Sequence, residues 1–282
     1  MAGLEGLRVL ITRPEPQAQA WARTLAGQGA EPIAVPMMAL EALTEPAEKQ
    51  AIKNIILDFD LYQKAIFVSQ NAVAYALEWL EDYWPQLPIG IEYFAVGERT
   101  AEALREHGIE VTALQSRGAM NSEALLRSAP LQQEQVEEQR IVIFRGRGGR
   151  GILGETLQTR GARVHYCELY QRVVPTGAAE RLDRALTDAS AEPLIVALHS
   201  GETLENYAQT LAQLPIDGPA RRTLARAPIL VPGERVAQQA KTLGFTRVFI
   251  AENATDPSML DALHQAVNDP ALLQTNGTLD RD

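Results

Sequence analysis

Residues 139–173 read QRIVIFRGRGGRGILGETLQTRGARVHYCELYQRV. The apolar run 141–144 has the length and character of a buried strand, and it stops at Arg145-Gly146-Arg147-Gly148-Gly149-Arg150-Gly151. A helical period through Ile152, Leu153 and Leu157 follows, ends at Gly161, and gives way to a second strand over 164–170. A strand feeding a glycine-rich, arginine-bearing turn at a helix amino end gathers backbone N–H groups, the positive helix end and guanidinium forks. That combination suits anionic oxygens. The same letters also spell G-x-G-x-x-G at Gly146, Gly148 and Gly151, with Glu168 near the place where a dinucleotide fold puts its ribose-binding acid. A third reading is a tight turn with a solvated arginine rim. The rest of the chain has to separate the three.

At 282 residues and 46% hydrophobic content the chain can bury the core of one large or two ordinary domains. Its net charge of -10 argues against nonspecific attraction to nucleic acid or an anionic membrane, so an anionic ligand must be gripped locally. The single cysteine, Cys167, excludes an intrachain disulfide and reads as a small buried hydrophobe, which suits a cytoplasmic protein. No apolar run approaches the ~20 residues that span a bilayer, and the opening MAGLEGLRVL lacks a signal-peptide profile. His107, His165, His199 and His264 are scattered, so no metal is expected.

Strands are expected at 7–11, 33–38, 65–68, 93–96, around Val111, 141–144, 164–170, 194–198, 229–231 and 248–250, with helices between them. Alternation of this kind implies parallel sheets covered on both faces, an α/β fold. The second half resembles the first. Ile11-Thr12-Arg13 stands 132 positions before Ile143-Phe144-Arg145, and at the same offset Thr24-Leu25 and Gly29-Ala30 match Thr156-Leu157 and Gly161-Ala162. Val68-Ser69 corresponds to His199-Ser200, and Gly97-Glu98-Arg99 to Gly233-Glu234-Arg235. These matches in order, three of them at strand-to-helix turns, favour a duplicated unit and hence two similar domains. The extended stretches 33–38 and 164–170 occupy equivalent places and are expected to be a two-stranded linker. One domain is then discontinuous, 1–36 plus 173–267, the other is 37–172, and 268–282 is a polar tail. In this arrangement the turns face a ligand cleft between the domains.

The residues at these turns resemble the uroporphyrinogen-III synthase family from residue 7 to about 263. The resemblance is carried by Leu10-Ile11-Thr12-Arg13-Pro14, Phe67-Val68-Ser69-Gln70-Asn71, Ala95-Val96-Gly97-Glu98-Arg99-Thr100, Asn121-Ser122-Glu123, Ile143-Phe144-Arg145-Gly146, Leu169-Tyr170-Gln171-Arg172, Ser200-Gly201-Glu202 and Ala251-Glu252-Asn253. Pro232-Gly233 stands where many members have a serine. What this implies is a cofactor-free cyclising lyase of porphyrin and haem biosynthesis. It would act on hydroxymethylbilane as a monomer, taking it by transient hand-over from hydroxymethylbilane synthase. The linear tetrapyrrole would close to uroporphyrinogen III with ring D inverted and water lost, chiefly through positioning. Helix amino ends around the cleft would grip its carboxylates, which reconciles an anionic substrate with an acidic protein.

The resemblance places the family's implicated tyrosine at Tyr170; packing in the linker is its structural alternative. Binding of the substrate is expected at Arg13, Ser69, Asn71, Gly97, Thr100, Ser122, Arg145, Gly146, Arg147, Ser200, Gly201 and Gly233. Ser69 and Ser200 read equally as helix caps worth ~1 kcal/mol, and Arg13 as the partner of a linker carboxylate. Two other functions compete: a dinucleotide-dependent oxidoreductase using the Gly146–Gly151 loop, and a non-catalytic two-lobed anion-binding protein. The first-half turn at Arg13-Pro14 has no glycines, which makes the loop an embellishment of a shared turn. A serine hydrolase is unsupported, because no G-x-S-x-G elbow exists.

Overall fold

The computed structural model describes residues 3–15, 17–112, 121–149, 151–186 and 193–269. Arg150 and the expected tail from 270 onward lie outside the described residues. In chain order the strands are β1 (Arg8–Ile11), β2 (Glu31–Ala34), β3 (Ala39–Ala42), β4 (Lys64–Phe67), β5 (Glu92–Ala95), β6 (Arg140–Gly146), β7 (Arg163–Val173), β8 (Leu194–Ala197), β9 (Ile229–Pro232) and β10 (Val248–Ala251). The helices are α1 (Gln17–Gly27), α2 (Pro46–Leu57), α3 (Gln70–Tyr83), α4 (Glu98–Glu106), α5 (Ser122–Leu126), α6 (Gln133–Val136), α7 (Ile152–Thr159), α8 (Ala178–Ala185), α9 (Gly201–Gln213), α10 (Pro219–Arg226), α11 (Gly233–Thr242) and α12 (Asp256–Val267).

Two compact units form, one from Met1–Ala39 with Val173–Asp282 and one from Leu40–Arg172. The first holds a sheet of order β10-β9-β8-β1-β2 and the second a sheet of order β3-β7-β6-β4-β5. All pairings of the first sheet are parallel, as are those joining β7, β6, β4 and β5. Central strands are buried on both faces, which is why they read as unbroken apolar runs. Side chains alternate between two cores in each sheet. In the second unit Phe67, Phe144 and Cys167 face one way, and Ile66, Ile143 and Phe94 the other. Phe67 and Phe144 stack with centroids 4.7 Å apart. Burial pushes the Cys167 thiol well up, so it acts as a small hydrophobe.

The duplication is visible in strand position. β1 and β6 begin 132 residues apart, at Arg8 and Arg140, and so do β2 and β7, at Glu31 and Arg163. Read from the β2 edge, the first sheet runs β2-β1-β8-β9-β10; the second runs β7-β6-β4-β5 and then a single bridge from Tyr93 to Val111. Each sequence copy therefore gives two strands to one sheet and the rest to the other. The repeat of sequence is not the unit of structure.

Three expectations change. The stretch 33–38 is not one strand: β2 ends at Ala34 and β3 starts at Ala39, with Pro36 between them lacking an N–H for either ladder. The strand expected at 164–170 extends to Val173, and its pairing is with β6 of the second unit. The strand at Val111 shrinks to one bridge. Among the described residues no helix is long and apolar enough to cross a membrane, and no group of side chains suits a metal ion.

Candidate active site

A register shift at the end of β6 shapes the site. Arg145 pairs with Glu168, but the next residue, Gly146, pairs with Tyr170, so β7 carries one extra residue there. The bulge explains why consecutive residues Leu169 and Tyr170 lie in the same core cluster, against ordinary strand alternation. It swings the Tyr170 ring across Gly146. A Cβ at that position would lie 2.5 Å from Tyr170 Cε2 and 2.8 Å from Cζ, so only glycine leaves the space. On its other flank the ring stacks on Tyr75, with centroids 5.0 Å apart and planes at 22°. Tyr75 donates in turn to the Leu40 carbonyl at 3.2 Å. The Arg147 amide donates to the Tyr170 carbonyl at 2.7 Å, which fixes the backbone. Tyr170 is 2% exposed. Its hydroxyl lies 3.1 Å from Ser69 Oγ, which also accepts from the Ala72 amide at the start of α3.

Ser69 and Tyr170 help to wall a cavity of about 310 Å³ within the Leu40–Arg172 unit. Val68, Val96, Ile143 and Leu153 supply apolar surface, while Ser122, Glu123, Arg145, Tyr166 and Arg172 supply polar groups. Arg145 is buried. Its guanidinium lies over the Tyr166 ring at 4.9 Å, its Nε donates to the Gly146 carbonyl at 3.2 Å, and Glu168 is 4.0 Å away. A side chain at Gly149 would collide with that guanidinium. The glycines of the loop thus make room for Arg145 and Tyr170. Gly148, at φ 72°, donates its amide to Glu168 at 3.4 Å. The acid that a dinucleotide reading would reserve for a ribose is turned onto the loop itself.

The other sequence-predicted residues divide. Ser122 lines the cavity at the start of α5. Asn71 is exposed on the first turn of α3. Gly97, at φ 95°, caps α4, and buried Thr100 donates to the Val96 carbonyl at 2.8 Å. Arg147 is outside the cavity lining: its guanidinium meets Glu48 of α2 and Gln171. In the other unit, Ser200 caps α9 by accepting from Thr203, and Gly201 packs against Gln239. Gly233 opens α11 at φ 69°. Arg13 pairs with Asp256 at the start of α12, not with a linker carboxylate. Next to Ser200 stands His199, set edge-on to Trp21 at 4.7 Å.

Tyr75 and Tyr166 were not singled out from sequence. A tyrosine at the flank of the apolar face of α3, six residues after Ser69, is the available signal for Tyr75. For Tyr166 it was the even spacing from Glu168 along β7.

The family model described as "Uroporphyrinogen-III synthase HemD" matches residues 19–261. Uroporphyrinogen-III synthase of Salmonella typhimurium is 34% identical over 263 residues, covering 91% of this chain and 100% of the relative. That of Escherichia coli is 32% identical over 266 residues, with the same coverage of both. Among solved structures, uroporphyrinogen-III synthetase from Helicobacter pylori aligns with a TM-score of 0.55 at 14% identity, over 93% of this chain and 99% of that one. A mutant uroporphyrinogen III synthase from Thermus thermophilus aligns at 0.51 and 18%, over 93% and 98%. At these identities the structural likeness is one of fold. The family model and the near-complete overlap with the two relatives go further: the chain belongs to the uroporphyrinogen-III synthase family.

Proposed function

We propose that the chain closes hydroxymethylbilane to uroporphyrinogen III and that Tyr170 assists departure of the terminal hydroxyl. The observation that carries the reading is a tyrosine whose ring is seated against Gly146 and Tyr75 and whose hydroxyl meets Ser69, at the wall of a cavity that Arg145 and Arg172 also line. A cavity of this size takes one substituted pyrrole, not four. Its apolar walls suit the ring and its cations suit the ring's carboxylates.

In the first step the C–O bond of the terminal hydroxymethyl group breaks. The pyrrole nitrogen supplies the electron pair, and a proton from Tyr170 lets the oxygen leave as water, giving a protonated azafulvene and a tyrosinate that regains its proton when the ring-carbon proton is lost at the end. The substituted carbon of ring D then attacks the electrophilic carbon to form a spiro intermediate. That intermediate reopens and recloses with ring D inverted, and loss of the ring-carbon proton restores aromaticity. The enzyme's main task is to hold a flexible polycarboxylate so that the spiro attack is preferred. No cofactor enters this scheme. The same reading has the chain working as a cytoplasmic monomer supplied by hand-over from hydroxymethylbilane synthase.

The test supplies freshly made hydroxymethylbilane, oxidises the product and separates the isomers. Acid assistance is typically worth ~10² to 10⁴-fold, but the pyrrole nitrogen can expel hydroxide unaided. Tyr170→Phe is therefore expected to lower turnover by roughly 5- to 100-fold while the residual product stays inverted. Wild-type turnover in a folded Tyr170→Phe protein would return Tyr170 to packing. Arg147 fastens the loop to α2 in this reading. Arg147→Ala should then change KM for hydroxymethylbilane by less than about threefold, as expected for an exposed pair. A tenfold rise in KM would place that guanidinium on the substrate.

A further inference from the structure

We propose that Ser69 is a positioning residue for Tyr170, donating its proton to the tyrosine oxygen so that the tyrosine's own proton is aimed into the cavity. The inference rests on the reading of Tyr170 given above. A serine hydroxyl has one proton and two lone pairs. One lone pair of Ser69 is occupied by the Ala72 amide at 3.1 Å. The positive end of α3, a 14-residue helix, then makes the hydroxyl a better donor and a poorer acceptor toward Tyr170 Oη, 3.1 Å away.

The tyrosine cannot turn aside. Its ring is in contact with both the Gly146 backbone and the Tyr75 ring. A phenolic O–H prefers the plane of its ring, which leaves two orientations, and a donating Ser69 blocks the one directed at itself. The remaining orientation is turned away from Ser69, as a group that must protonate a leaving hydroxyl requires.

The duplication supplies an internal control. Ser200 has the same cap geometry, φ -159° and ψ 163° against -165° and 163° at Ser69, and the same 3.1 Å bond from an amide three residues on. Its other partner, however, is Thr203 Oγ1 of its own helix at 2.7 Å. The repeat's counterpart of Tyr170 is Met38, which has no hydroxyl. One copy is a cap closed on itself; the other is a cap wired to a tyrosine.

A double-mutant cycle tests this. Ser69→Gly removes the hydroxyl while remaining a well-tolerated cap residue. Alone it should lower kcat about 5- to 10-fold and move KM less than about twofold; in the Tyr170→Phe background it should change kcat by less than about twofold. Ser69→Thr, which keeps a hydroxyl, should restore at least about half of the lost turnover. The proposal is overturned if the Ser69→Gly loss persists undiminished in the Tyr170→Phe background, if it falls on KM alone, or if Ser69→Thr recovers nothing. Should Ser69→Gly fold poorly, the cycle is run with Ser69→Asp, which keeps the cap but has no proton to donate when ionised, and the loss of kcat should again vanish in the Tyr170→Phe background. Wild-type turnover in Tyr170→Phe alone would instead refute the reading beneath, so the two failures are distinguishable.

Discussion

Gly146→Ala is expected to lower turnover by at least about 100-fold, more than removal of the tyrosine hydroxyl itself. The added Cβ would lie 2.5 Å from the Tyr170 ring, so something must move. The backbone is constrained by the β6–β7 ladder and by the bond from the Arg147 amide to the Tyr170 carbonyl. The ring is the part that yields, and its stacking on Tyr75 and its bond to Ser69 are what the shift disturbs. A misplacement of ~1 Å in a positioning site can cost ~10²-fold. Overpacking should destabilise the protein by about 1–3 kcal/mol. In a Tyr170→Ala background, which carries its own cavity cost, Gly146→Ala should cost little further stability, which separates a clash from general misfolding. Near-normal activity in Gly146→Ala would show that Tyr170 does not need its seat on the glycine.

Acid is expected to destabilise the protein through His199. Neither ring nitrogen of this residue has a hydrogen-bond partner among the described residues, and both are buried. Burial, and then the nearby Arg13 guanidinium, push its pKa down to about 3 from the ordinary 6.5. Between those values the unfolded chain binds a proton that the folded chain refuses. This contribution to stability is therefore complete above about pH 6.5 and is lost as pH falls toward 3, with a slope of up to ~1.4 kcal/mol per pH unit. Urea unfolding at pH 7 and pH 5 would measure it. His199→Phe should show a pH dependence shallower by close to one proton. An unchanged slope would move the acid sensitivity to other groups, such as His165, whose pKa burial also lowers.

Most of the strands and helices were legible because they obey local rules. Buried parallel strands are unbroken apolar runs, and their turns carry cap residues or glycines at positive φ, as at Ser69, Gly97, Ser200 and Gly233. β3, spelled ALEA, lacks a strand signature and exists because β7 offers it an edge. α10 is short and lies in a stretch with three arginines, so its apolar face, Ala220 and Leu224, is too sparse to announce itself. The site was harder. Tyr170 was indicated by resemblance, but the bulge that turns its ring onto Gly146 depends on pairing with β6, and pairing is not written in β7. For the same reason the glycines of the Arg145 loop suggested a dinucleotide fingerprint, although two of them, Gly146 and Gly149, clear space for side chains.

The sharing of strands between repeats also bears on how such a chain could arise. A lone copy of the repeat would own two strands of one sheet and the remainder of another, and could complete neither. Two separate copies could complete both by lending each other their opening β-α-β segment, which is the exchange that defines a domain-swapped dimer. Fusion of the two genes end to end makes that exchange permanent and removes its dependence on concentration. It also frees the copies from identity, so that one position can become Tyr170 while its twin remains Met38. In a symmetric dimer every substitution appears twice; in the fused chain an asymmetric substrate can meet an asymmetric site.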